Sequence, residues 1–157
     1  MTNEERVRER RFALERLLRE VVDDCQASEA SVWELRPETG ELELVLNIGP
    51  ARERIVGLRV PISESVVGLV ATIGEATSIG PGERRHPLVD ERAGTETTAM
   101  IAAPIVTRAG AVGVISAINP ITTDSGAADS AATLFSPEQL ETLRWKAYVA
   151  GLIFEHG

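Results

Sequence analysis

Thr98 to Asn119 reads TAMIAAPIVTRAGAVGVISAIN, two apolar runs of β character separated by Arg108-Ala109-Gly110, and no other stretch leaves the chain so few choices. A three-residue hairpin loop commonly joins a type I turn to a left-handed residue, and Gly110 stands where that residue belongs. Pairing Thr107 with Ala111 then sets the register. Val106 lies opposite Val112, Pro104 opposite Val114, Ala102 opposite Ser116 and Met100 opposite Ile118. On the other face Ile105 meets Gly113, Ala103 meets Ile115 and Ile101 meets Ala117. That second face matches large to small in every pair, as a tightly covered core does, so a side chain added at Gly113 is expected to strike Ile105. The first face mixes Met, Ala, Pro and a hydroxyl and is the looser one. Both strands are apolar on both faces, which places them in the middle of a sheet buried on two sides.

The flanking segments supply the rest of that sheet and its cover. Asn3 to Ala27 carries a narrow helical stripe of Val7, Leu14, Leu17, Leu18, Val21 and Cys25, with Arg11 at one position. Its outer face interleaves Glu with Arg: either a solvated surface laced by weak ion pairs, or one that also packs on a second copy. Ala30 to Leu35 reads as a strand with Trp33 and Leu35 on one face. Pro37 and Gly40 turn the chain, and Leu42, Leu44, Leu46 and Ile48 then alternate with Glu43 and Asn47 along a half-buried antiparallel strand. Arg52 to Arg54 read as a polar connector. Ser63 is the expected N-cap of a short helix and Gly74 its expected stop. Thr77 to Ile79 makes a short strand. Gly80 to Glu96 is a long polar loop, of the kind that often forms a lid or binding loop. Thr122 to Thr133 is rich in Ser, Ala, Gly and Asp and reads as a loop. Ser136-Pro137-Glu138-Gln139 opens the last helix with a capping box, and Leu140, Leu143, Ala147, Ala150/Gly151 and Phe154 form its stripe. The expectation is one domain over residues 1–157: a helix to 27, a sheet core over 28–135, and a helix over 136–157.

Composition narrows the function classes. A formal net charge of −8 argues against non-specific nucleic-acid binding, which needs a basic surface. No apolar run approaches the ~20 residues of a membrane span, and the charged start lacks a signal-peptide core, so a cytoplasmic location is expected. With one cysteine an internal disulfide is impossible, and one cysteine with two histidines falls short of the four ligands of a structural Cys/His zinc site, so none is expected. Nucleophile-elbow, phosphate-loop and His-Glu-x-x-His patterns are all missing.

PETGELELVLNIG, VPISESVVGLVATIGEATSI, AAPIVTRAGAVGVISAIN and FSPEQLETL, in this order, resemble the GAF domain family over nearly the whole chain. PAS domains are the nearest alternative, but they usually lack paired long terminal helices. The resemblance implies an α/β (α+β) fold, an α/β/α sandwich with a central antiparallel sheet. Long terminal helices would cover one face, and loops and short helices would lie over a pocket on the other. It also implies a mostly regulatory role. Bilin-carrying members use a cysteine near the polar loop, which has none. The cyclic-nucleotide signature is echoed only by Asn119 and Phe135. Haem-binding members use a histidine, for which His86 is the one candidate. Free methionine-R-sulfoxide reductases also use a stand-alone GAF domain, but their chemistry needs an attacking and a resolving thiol, and Cys25 sits alone on an apolar stripe.

The expected protein is therefore a non-enzymatic sensory module. It would bind an unidentified small molecule, dimerise through its terminal helices and signal to a downstream protein. The alternative is a ligand-free GAF fold used for dimerisation or docking. In bilin-binding relatives the ligand lies over one face of the central hairpin, and the matching positions are Met100, Ala102, Ser116 and Ile118, the looser face of the register. Trp33 falls where the family's first strand contributes an aromatic to the pocket, or else is plain core. Arg84, Arg85 and His86 in the polar loop either clamp an anion through charge-assisted hydrogen bonds or form a solvated charge run. The resemblance specifies no cofactor.

Overall fold

The computed structural model describes residues 1–80, 86–121 and 134–156. In chain order the elements are α1 (Asn3–Cys25), β1 (Ala27–Arg36), β2 (Glu41–Ile48), α2 (Arg52–Ile55), β3 (Arg59–Pro61), α3 (Val66–Ile73), β4 (Thr77–Ile79), α4 (Pro87–Ala93), β5 (Met100–Thr107), β6 (Gly110–Pro120) and α5 (Pro137–His156). The six strands form one antiparallel sheet in the order β3-β2-β1-β6-β5-β4. The apolar hairpin thus lies inside the sheet, as strands without a polar face must. Thr122 to Thr133, read as a loop, falls outside the described residues.

The hairpin register holds from Met100↔Ile118 to Ile105↔Gly113, then slips by one residue. Val106 pairs with Ala111 and Thr107 with Gly110, not with Val112 and Ala111. Gly110 has φ +101, so the left-handed residue is where it was expected; the slip comes two pairs further on, at a bulge between Ile105 and Val106 where β6 carries Val112 as an extra residue. A second bulge, between Val32 and Trp33 in the β1–β2 pairing, changes which way β2 faces. Leu42 and Leu44 point into one core, whereas Leu46 points into the other and Asn47 turns inward. The expected single alternation of Leu42, Leu44, Leu46 and Ile48 is broken there, because one extra residue inverts a period-two pattern.

Each sheet face has its own core. On one side α1 and α5 cover Val32, Ile101, Ala103, Ile105, Ile115 and Ala117 with Leu14, Leu18, Val21, Leu143, Ala147 and Ala150. Val7 is 49% exposed, so the stripe of α1 is buried only from Leu14 onward. The helix ends at Cys25 rather than Ala27, stopped by Gln26 in the left-handed conformation (φ 52). Gln139 fastens the two helices: its Nε2 donates to the Cys25 carbonyl at 2.8 Å, and it completes the capping box with Ser136. On the other side lie α2, α3 and α4. The Arg52–Arg54 connector proves to be the short helix α2, set by buried Ala51 and Ile55. Ser65, not Ser63, caps α3, its Oγ accepting from Gly68 N at 3.0 Å after a 3-10 turn over Ile62–Glu64. The polar loop contains α4, anchored by buried Val89 and Ala93.

At Gly113 the space is closed by β1, not by Ile105. A Cβ there would overlap the Trp33 carbonyl oxygen.

Candidate functional site

The α2–α3–α4 side of the sheet is crossed by a row of small or polar residues. Pairing runs Asn47↔Ser31, Ser31↔Ser116, Ser116↔Ala102 and Ala102↔Thr77, so these five stand side by side perpendicular to the strands. Larger residues flank the row: Trp33 and Val114 on one side, Ile118, Met100 and Ile79 on the other. Trp33, Met100, Ala102, Ser116 and Ile118 are therefore brought together in one region, each at most 4% exposed.

Polar groups in the row bond to one another. Trp33 Nε1 donates to Ser116 Oγ at 3.1 Å. Asn47 Nδ2 donates to Ser31 Oγ and to Glu29 Oε1, both at 2.9 Å. Asn47 Oδ1 is buried without a hydrogen-bond partner, a costly state for an amide oxygen. Sequence reasoning missed Asn47, Ser31, Glu29 and Thr77. A signal existed in the single polar residues set among apolar neighbours, Ser31 beside Val32 and Asn47 between Leu46 and Ile48. The bulge hid which side Asn47 faces.

His86 is the N-cap of α4, and its Nδ1 accepts from Leu88 N at 3.2 Å. Arg84 and Arg85 fall outside the described residues. The loop after α4 is held at its base. Asp90 accepts from Thr97 N and Thr97 Oγ1 at 3.0 and 2.8 Å, and Asn119 Oδ1 accepts from Thr98 N at 2.7 Å. A cavity of about 420 Å³ opens at the sheet edge between Gly74–Ala76, Ala103–Pro104 and Arg144, away from Trp33, Ser116 and Ile118. Among the described residues, no group of three or more His, Cys, Asp or Glu side chains is placed to hold a metal ion.

Cys25 is fully buried, and its Sγ donates to the Gln139 carbonyl at 3.6 Å. Burial, together with the charge of Asp24, pushes the thiol from about 9.0 up to about 11, against a lowering influence from Lys146. A nucleophilic cysteine needs the opposite setting. No helix among the described residues is long and apolar enough to cross a membrane.

An antiparallel sheet of this order, two long helices on one face and short helices on the other, defines an α+β sandwich. The GAF domain model matches residues 9–150, and the chain belongs to that family, whose members are mostly sensory or regulatory. No curated protein sequence matches it. Solved structures share the fold at low identity. The second GAF domain of DevS from Mycobacterium smegmatis is 16% identical, covers 93% of each chain and has a TM-score of 0.71. The GAF domain of a phosphoenolpyruvate-protein phosphotransferase from Coxiella burnetii is 17% identical over 98% of this chain and 90% of that one, with a TM-score of 0.71. Free methionine-R-sulfoxide reductase from Neisseria meningitidis, in complex with its substrate, is 16% identical over 90% of this chain and 75% of that one, with a TM-score of 0.69.

Proposed function

We propose that residues 1–157 act as one non-enzymatic, cytoplasmic sensory GAF domain. It binds a small molecule over the transverse row and relays that binding, through a dimer of its terminal helices, to a downstream signalling protein. The row carries the reading: an amide and two hydroxyls buried with the Glu29 carboxylate among apolar side chains, with Asn47 Oδ1 unpaired. An unpaired buried acceptor costs ~1–3 kcal/mol, which a ligand N–H would recover. Ala102 and the hydroxyl of Ser116 suit a small, partly polar ligand between the apolar walls of Trp33, Met100 and Ile118. Arg84, Arg85 and His86 are candidates to hold an anionic group. The likeness to the sulfoxide reductase extends to the fold, whereas a lone buried Cys25 with a raised pKa lacks both the thiolate and the resolving partner.

One observation favours the second reading, a ligand-free fold used for dimerisation or docking. Asn47, Ser31, Ser116 and Ala102 are at most 4% exposed, so the row is closed over as it stands. Native mass spectrometry of freshly purified protein separates the two. A retained small molecule that Ala102→Phe releases, with the fold intact, supports ligand binding. Bare protein, with an unfolding temperature unmoved by a metabolite panel, supports the second reading.

A further inference from the structure

Asn47 ends the transverse row with its amide held one way round. Its Nδ2 donates to Ser31 Oγ and to Glu29 Oε1, both at 2.9 Å. A carboxylate only accepts, so the reversed amide would set oxygen against oxygen at Glu29. Oδ1 is thereby left without a partner, in a residue that is 1% exposed. Gly49 keeps one side of that oxygen clear. A Cβ at residue 49 would stand 3.2 Å from Asn47 Oδ1 and 2.8 Å from Glu29 Cγ, so the amide oxygen and the stem of the carboxylate flank the same point. Gly49 has no positive φ, so its glycine answers this close approach and not a left-handed backbone. From Glu29 an apolar row leads across the sheet, because Glu29 pairs with Ile118, Ile118 with Met100 and Met100 with Ile79.

We infer that this end of the row receives a protonated primary amine, whose N–H groups donate to Asn47 Oδ1 and to the Glu29 carboxylate while its apolar body lies along Ile118 and Met100. This rests on the reading of the row as a ligand site and names the chemical class of the ligand. Two neighbouring acceptors, one of them a carboxylate, call for a donor that carries positive charge, since charge-assisted hydrogen bonds are about twice as strong as neutral ones. A carboxylate has room for about four hydrogen bonds, so Glu29 takes a ligand donor while keeping the one from Asn47. An ammonium brings three donors and no acceptor. A hydroxyl brings a single donor, and an anion brings none and is repelled. The sheet also limits the body. Strands stand ~4.8 Å apart, so β1 to β5 is two spacings, and the apolar part can extend roughly 10 Å from the head group before it passes Met100 and Ala102.

Isothermal titration of the full chain at neutral pH with phenethylammonium, phenethyl alcohol and hydrocinnamate tests this, because the three share an apolar body and differ in head group. Wild type is expected to bind the amine at least ~10-fold more tightly than the alcohol, the scale of a hydrogen bond to a charged group, and not to bind hydrocinnamate. Glu29→Gln keeps an acceptor for Asn47 and removes the charge, and should abolish the preference for the amine. Gly49→Ala fills the point beside Oδ1 and should weaken the amine by a similar factor. Circular dichroism melts verify that both variants fold, and the wild-type series stands without them. An alcohol or hydrocinnamate that binds as tightly as the amine overturns the amine; if Ala102→Phe abolishes that binding, the site still stands. A preference for the amine that either folded variant retains also overturns it. Binding of none of the three overturns the amine, and native mass spectrometry then decides the site, which a retained molecule upholds and bare protein overturns.

Discussion

Gly113→Ala probes how closely β1 and β6 approach. Gly113 pairs with Glu34 on one side and Ile105 on the other. The added methyl group would overlap the Trp33 carbonyl oxygen and lie 3.5 Å from Glu34 Cα. Both are backbone atoms, so no rotamer change relieves the contact. The strands must move apart, and Trp33, tied to Ser116, must move with them. Overpacking that forces a backbone shift costs ~1–3 kcal/mol, and a ladder hydrogen bond stretched in the process about 1 more. Alanine recovers only ~0.4–1 kcal/mol by restricting the unfolded chain. The net expectation is a loss of roughly 1–3.5 kcal/mol, a large part of the ~5–15 typical of a domain. At ~2–4 °C per kcal/mol for a chain of this size, the unfolding temperature should fall by roughly 2–14 °C. Urea melts followed by tryptophan fluorescence give the midpoint at unchanged slope. Gly40→Ala is the control: nothing lies within 4 Å of its Cβ, and its cost is only the strain of φ +69. A Gly113→Ala midpoint within ~0.5 kcal/mol of wild type, the range of an ordinary surface substitution, would refute the close approach.

Ser116→Ala should destabilise by ~1–3 kcal/mol in the same melts, because it leaves the buried Trp33 Nε1–H without its acceptor; a neutral result would mean that indole bond is not formed. Cys25 has a folded pKa, about 11, above its unfolded value near 9.0, so its contribution is complete below pH 9 and is lost as pH rises through 11. The shift corresponds to on the order of 2–3 kcal/mol, and the stability gap between wild type and Cys25→Ala should shrink over that interval. A gap that stays flat, or rapid alkylation of the folded protein at neutral pH, would contradict the buried, raised thiol.

Much of the fold was legible because its signals are local. The hairpin shows in two doubly apolar runs around Gly110, and α5 in Ser136-Pro137-Glu138-Gln139, a cap that acts over one turn. The misreadings arise where one residue changes a strand's count. Val106 and Thr107 pair one position from expectation because the bulge at Val112, between the Ile105 and Val106 pairs, consumes a residue, and Asn47 is buried because the Val32/Trp33 bulge inverts the end of β2. At the candidate site, Met100, Ala102, Ser116 and Ile118 could be grouped from the hairpin alone. Ser31 and Asn47 could not, since they join through the pairing of distant strands.

By itself the sequence determined the two long helices, α3 and the strands, the central position of the Thr98–Asn119 hairpin and the family, since periodicity, capping and turn chemistry act between residues a few positions apart, whereas α2 and α4 emerged only in the structure. Tertiary structure alone decided which apolar surface is spent and which is left over. The stripes of α1 and α5 go to the sheet because it offers a whole face to cover. Phe12, Trp145 and Tyr148, outside those stripes, remain exposed because none of the described elements packs against that side.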